Sequence, residues 1–158
     1  MGISKKISIA IILILMAQDV SAAEDRVQDL QCLAKNIYFE GRNQPWVGQL
    51  AIAQVTLNRV KSAAFPATIC QVVKQQRKEI CQFSWYCDGK ADEIISKENN
   101  HAWRVAQDIA FNIMVFDKYS GLVEGATHYH ADYVNPRWAR DLQLVGRIGV
   151  HIFYRWEK

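Results

Sequence analysis

Four cysteines, Cys32, Cys70, Cys81 and Cys87, lie downstream of an export-type leader, and they narrow the possible folds more than any other feature of the chain. An even cysteine count in an oxidising compartment favours two disulfides, and cross-links stabilise a small domain by constraining its unfolded chain. Three pairings are open. The short spacing from Cys81 to Cys87 suits a local bridge, which leaves Cys32 and Cys70 to tie an early helix to the segment after the second one. With no C-x-x-C pair in the chain, the cysteines read as structural and not as zinc ligands.

The leader itself has three parts. Lys5 and Lys6 precede an almost continuous apolar run from Ile7 to Ala17, and Val20-Ser21-Ala22-Ala23 supplies the small residues at which a signal peptidase cuts. The apolar run amounts to about 16 Å of helix, whereas a bilayer span takes roughly 20 residues. Residues 1–22 are therefore expected to be a cleaved signal peptide, and residues 23–158 a domain working in the periplasm or extracellular cell wall, with no membrane span left after cleavage. Removing 22 of the 158 residues leaves 136, and losing Lys5, Lys6 and Asp19 takes the formal charge from +3 to +2. So small and evenly mixed a charge gives no electrostatic footprint for nucleic acid.

The makeup, 50% hydrophobic with 8 Gly and 3 Pro, excludes disorder and collagen and fits one globular domain. Val27, Leu30, Leu33, Ala34, Ile37 and Tyr38 recur at three- and four-residue steps, which predicts a helix over 24–40 stopped by Gly41. A second helix is predicted over 46–62, opened by Pro45 and closed by Phe65-Pro66, and a short third one over 67–76. Residues 81–90 read as an irregular loop, and 101–118 as a further helix closed by Ser120-Gly121. The β-branched and aromatic stretches 127–134 and 147–155 read as two strands around a loop with Asn135-Pro136 and Trp138. Helices followed by a small sheet make an α+β domain.

Glu40 stands out chemically. It lies about 20° from Leu33 around the first helix, so it extends the apolar face, and it sits in the last turn, where the helix dipole disfavours negative charge. Desolvation and the dipole both push a carboxyl pKa upward, as a general acid near neutral pH requires. Pairing with Lys35 or Arg42 would make the same residue purely structural.

The stretch from Cys32 to Arg42, with Glu40-Gly-Arg42 at its end, and the following Gly48-Gln49-Leu-Ala-Ile-Ala-Gln-Val-Thr-Leu-Asn58-Arg59-Val60 resemble the opening of the SleB-type cell wall hydrolases, the spore-cortex-lytic enzymes and their relatives. Phe65-Pro66-Ala-Thr-Ile-Cys70, Cys81-Gln82-Phe83-Ser84, Gly125-Ala-Thr-His128-Tyr129-His130 and Ile148-Gly149-Val-His151-Ile-Phe153-Tyr154 resemble that family's later blocks in the same order. The resemblance covers residues 32–155. It implies a mostly helical, lysozyme-like core with a small C-terminal antiparallel β-subdomain, and peptidoglycan as substrate and partner. The implied reaction is a lytic transglycosylase cut between N-acetylmuramic acid and N-acetylglucosamine, needing no cofactor. Glu40 matches the family's catalytic glutamate, although this chain has Gly41 where alanine is common and Asn43-Gln44 where Gly-Glu is common.

A glycan groove mixes hydrogen-bonding side chains with aromatic platforms. Gln49, Gln82, Phe83, Ser84, Tyr129, His130 and Trp138 have that chemistry and are the expected substrate-binding residues. Two other readings compete. His128, His130 and Asp132 alternate along one predicted strand face and His151 is expected to join them, the donor set of a zinc-dependent N-acetylmuramoyl-L-alanine amidase. A non-catalytic wall-binding module would keep the groove without the chemistry.

Overall fold

The computed structural model describes residues 3–94, 96 and 100–156. Helix α1 (Ile3–Gly41) runs unbroken from the leader into the first predicted helix. Periodicity alone starts that helix at residue 24. The longer span follows from the absence of Gly and Pro between Ile3 and Glu40, which leaves nothing to interrupt propagation. Among the described residues no helix is long and apolar enough to cross a membrane.

Gly41 ends α1 at a point of close approach. A Cβ there would lie 3.0 Å from Ile52 Cδ1 and 3.3 Å from Gln49 Cγ, both on α2 (Trp46–Lys61), so the two helices meet at the residue after Glu40. The predicted third helix shrinks to α3 (Ile69–Val73), whose first turn is capped by Thr68 accepting from the Gln71 amide. Helix α4 (His101–Phe116) is capped by Asn100, which accepts from the Trp103 amide. Leu33, Ile37, Leu50, Val72, Phe83 and Ile109 form the centre of the helical core.

The disulfides join Cys32 to Cys70 and Cys81 to Cys87. The first fastens α1 to the start of α3. The second closes the start of the segment 81–90 predicted as irregular, which holds a 3-10 turn, Ser84–Cys87. Just before it lies an unpredicted minimal hairpin, β1 (Gln76–Arg77) with β2 (Ile80–Cys81).

At the C-terminal end there are three strands, not two: β3 (His128–Ala131), β4 (Gln143–Ile148) and β5 (His151–Arg155), antiparallel in the order β3-β5-β4. The stretch 147–155 read as one strand turns back on itself, because Ile148 pairs with His151 across the two-residue loop Gly149-Val150. Gly149 has φ of 59°, which a tight hairpin loop demands and which a side chain disfavours. It also meets the turn after α1, since a Cβ on it would fall 2.9 Å from Gln44 Oε1. A second, smaller apolar cluster of Ala51, Val55, Val123, Ala126 and Phe153 glues the sheet to α2.

Candidate active site

Glu40 is half-buried at the seam between α1 and the sheet, where Tyr129 Oη on β3 donates to Glu40 Oε2 at 2.9 Å. The alternation along β3 sends Tyr129 and Ala131 to the face that meets the helices and His128 and His130 to the other. On β5, His151 and Phe153 share the inner face with Tyr129, their rings 5.0 and 5.6 Å from its own. A cleft of about 550 Å³ opens over this seam. Glu40, Ser84, Trp85, Ala131, Tyr133 and His151 are among its lining residues, with Asp88, Asp92 and Glu93 contributed by the loop that follows the 3-10 turn.

The walls of the cleft are braced from behind. Asn36, fully buried on α1, donates to Thr56 Oγ1 of α2 at 3.1 Å and accepts from Trp85 Nε1 at 2.9 Å. Phe39 stacks on Trp85 with centroids 4.7 Å apart. One amide thereby fixes two helices and the indole at the cleft edge, and each of its buried polar atoms is satisfied.

Burial raises the Glu40 carboxyl above its ordinary value near 4.5, against the opposing pull of the Tyr129 hydrogen bond and then of the Arg59 guanidinium. The direction agrees with the helical-wheel expectation, and burial is its main cause. Lys35 Nζ reaches the Asp92 carbonyl at 3.5 Å and Arg42 lies 5.1 Å over the Tyr38 ring, so neither takes the structural pairing considered for them. Tyr129 is itself pushed well above the usual phenol value, by burial and then by the adjacent Glu40 charge, so it stays a hydrogen-bond donor.

Arg59 is the charged neighbour of Glu40 that sequence reasoning passed over. Only 4% exposed, it donates from Nε to the Thr127 carbonyl at 2.7 Å, and its guanidinium lies 5.3 Å over Phe65 and 5.0 Å over Phe83. Its buried Nη1 has no hydrogen-bond partner. The signal was present: Arg59 is seven residues after Ile52 and four after Val55, so it continues the buried stripe of α2 as a charge among apolar side chains. His151 is likewise buried, with Nδ1 unpartnered, and burial pushes its imidazole below the ordinary value.

The predicted binding residues separate. Ser84 and Tyr129 join Glu40 at the cleft. Phe83 is 2% exposed and belongs to the core beneath Arg59. Gln49 is buried behind the α1–α2 turn, donating to the Gln44 carbonyl at 3.1 Å. Gln82 is exposed and joins the hairpin segment through its amide, 2.9 Å from the Gln75 carbonyl. His130 and Trp138 lie on the outer face of the sheet, where His130 stacks on Tyr154 at 5.3 Å and contacts Trp138 at 5.6 Å.

The expected histidine cluster also divides. His151 is on the inner face while His128 and His130 are on the outer one, and Asp132 pairs with Arg147. The period-two pleat is the reason, since Ala131, not His130, pairs with His151. Among the described residues no group of three or more His, Cys, Asp or Glu side chains is placed to hold a metal ion.

Comparisons with known proteins place the chain in a family. The family model described as Cell Wall Hydrolase matches residues 43–154, a range that opens just after Glu40. The chain is 30% identical over 125 residues to a spore cortex-lytic enzyme of Bacillus cereus, covering 79% of this chain and 43% of the relative. It is 35% identical over 126 residues to one of Halalkalibacterium halodurans, covering 79% and 34%. It therefore spans less than half the length of these enzymes. Among solved structures it is similar, at 30% identity and a TM-score of 0.60, to the catalytic domain of the Bacillus cereus SleB protein, covering 80% of this chain and 89% of that one. The same identity and score hold for the catalytic domain of the germination-specific lytic transglycosylase SleB from Bacillus anthracis, covering 80% and 93%. By sequence and by fold, this chain belongs to the cell wall hydrolase family.

Proposed function

We propose that this chain is an exported peptidoglycan-cleaving enzyme that cuts the glycan between N-acetylmuramic acid and N-acetylglucosamine as a lytic transglycosylase, with Glu40 as its catalytic acid and base. The observation that carries this reading is a carboxyl raised in pKa by burial, held by one phenol, at the floor of an open cleft. In its protonated form Glu40 donates to the glycosidic oxygen while positive charge develops at the anomeric carbon. The resulting carboxylate then takes the proton of the muramic C6 hydroxyl, whose oxygen closes on the anomeric carbon to give a 1,6-anhydro ring. One carboxyl serves both steps. Tyr129 orients it, and Arg59, close enough to favour the carboxylate form, tempers the shift so that the proton can leave and return.

The leader at residues 1–22 supports export, and the similarity to the germination-specific lytic transglycosylase SleB supports the reaction type. Asp88, Asp92 and Glu93 border the same cleft, so water activated by a second carboxylate is the competing outcome. Mass spectrometry of peptidoglycan digested by the purified protein separates the cases. Fragments ending in 1,6-anhydromuramic acid are expected. Reducing muramic ends would replace transglycosylation by hydrolysis, free stem peptides would reject glycan cleavage in favour of an amidase, and binding without turnover would make the chain a wall-binding module. Glu40→Gln should lower glycan cleavage by about 10²- to 10⁴-fold, the usual contribution of a positioned acid, and undiminished cleavage would remove Glu40 from the mechanism.

A further inference from the structure

The outer face of the sheet carries aromatic side chains that the cleft does not use. His128 and Tyr154 stand opposite each other across β3 and β5, Leu144 of β4 extends the row, and Trp138 lies over it, 5.3 Å from His128 and 5.6 Å from Tyr154. At one end Trp156 contacts the His128 ring at 6.1 Å yet is 59% exposed, and Leu144 is 63% exposed. Trp156 also walls a cavity of about 620 Å³ whose other lining includes Asn58, Lys61, Ser62 and Thr127.

That lining has a specific chemistry. A large indole with one wet face offers a platform to the C–H face of a pyranose. Beside it Asn58 gives its Nδ2 to the Val123 and Ala126 carbonyls and keeps its Oδ1 to accept from a sugar hydroxyl. The half-buried Ser62 hydroxyl accepts from the Ala64 amide and keeps its proton to donate. Lys61, exposed at the C-terminal end of α2, supplies a positive charge where an anionic sugar substituent would sit. His128 is held neutral at physiological pH, its pKa lowered to about 4 by burial and then by Arg59, so the platform beside Trp156 carries no charge of its own. The volume falls within the range of about 300–1,000 Å³ typical of small-ligand sites.

We propose that the Trp156 cavity, between the C-terminal end of α2 and the edge of the sheet, is a second, non-catalytic glycan site, holding a muramic-acid-containing stretch of the polymer away from the Glu40 cleft. Its occupant is a peptide-free stretch of the glycan of the reading above, on which it rests, and its recognition elements are the Trp156 ring, the polar rim and the Lys61 charge facing the lactyl carboxylate that a muramic residue without a stem peptide exposes. Two separate sites on one domain let it stay attached to an insoluble strand while another stretch passes through the cleft, a gain in effective concentration.

The test uses the full chain carrying Glu40→Gln and peptide-free glycan strands, with binding read by sedimentation and by saturation transfer to indole resonances. Adding Trp156→Ala should weaken binding by about five- to tenfold, in line with the loss of one exposed aromatic contact. Trp156→Phe should restore most of it, and Lys61→Ala should weaken it about two- to threefold in a salt-dependent way. Trp156 is exposed, so its truncation leaves the core intact. Unchanged binding by both alanine variants would overturn the second site. Digestion by the unmodified protein reports the parent reading separately: glycan fragments with Trp156-independent binding remove the second site alone, while Trp156-dependent binding without glycan fragments removes the catalytic reading alone.

Discussion

The helical half and the sheet half of this domain are built differently. Four helices, with Phe83 and Trp85, share the larger apolar cluster, and both disulfides lie on that side. The sheet has no covalent tie and is seated on α2 by Ala51, Val55, Val123, Ala126 and Phe153. Glu40 comes from the stiff half and Tyr129 from the light one, so their 2.9 Å hydrogen bond spans the seam. The carboxyl is thus fixed by the part of the fold that resists deformation, and the group that tunes its proton by the part that deforms more readily.

Opening the Cys32–Cys70 bridge with paired serines tests the stiff half most severely. Loop-closure entropy for a separation of 38 residues puts the loss near 4 kcal/mol, measured as a lower urea midpoint. The same change at Cys81 and Cys87, separated by 6 residues, should cost about 2 kcal/mol. Equal losses would mean that the long bridge does not organise the helical half. Tyr129→Phe probes the seam and should lower turnover about tenfold, or about 1.4 kcal/mol. Because the Tyr129 hydrogen bond favours the carboxylate, its removal raises the Glu40 pKa further, and the alkaline limb of the rate profile should move to higher pH. A uniform drop with an unmoved limb would reduce Tyr129 to packing.

The smallest effect concerns stability. Burial makes folded Glu40 hold its proton more tightly than the unfolded chain, so its favourable contribution is complete below about 4.5 and is lost as pH rises through the raised value. Glu40→Gln should therefore unfold at higher temperature than the parent at neutral pH, by about 1 kcal/mol, with the gap closing in acid. A gap of the same size at low pH would contradict the desolvation account.

Much of this was legible in residue order. The stripe through Leu33 and Ile37 marked α1, and Glu40 showed itself as a carboxyl on an apolar face. What escaped was tertiary. The hairpin at Gly149-Val150 is hidden inside an apolar run because both of its strands are rich in β-branched and aromatic residues. The side on which His151 falls, with Tyr129 and away from His128 and His130, depends on register, which no single strand reveals. Phe83 and Gln49 have suitable chemistry for sugar, but their side chains are consumed by the core and by the α1–α2 turn.

Glu40 and its phenolic partner stand 89 positions apart in the chain. During synthesis the acid emerges long before β3 exists, and contacts of such separation form late because the loop between them must close first. A nascent chain thus carries the glutamate without the setting that raises and aims it. Under the mechanism proposed above, activity would arrive only when the last strands dock, and completion of the fold would be the step that arms the acid.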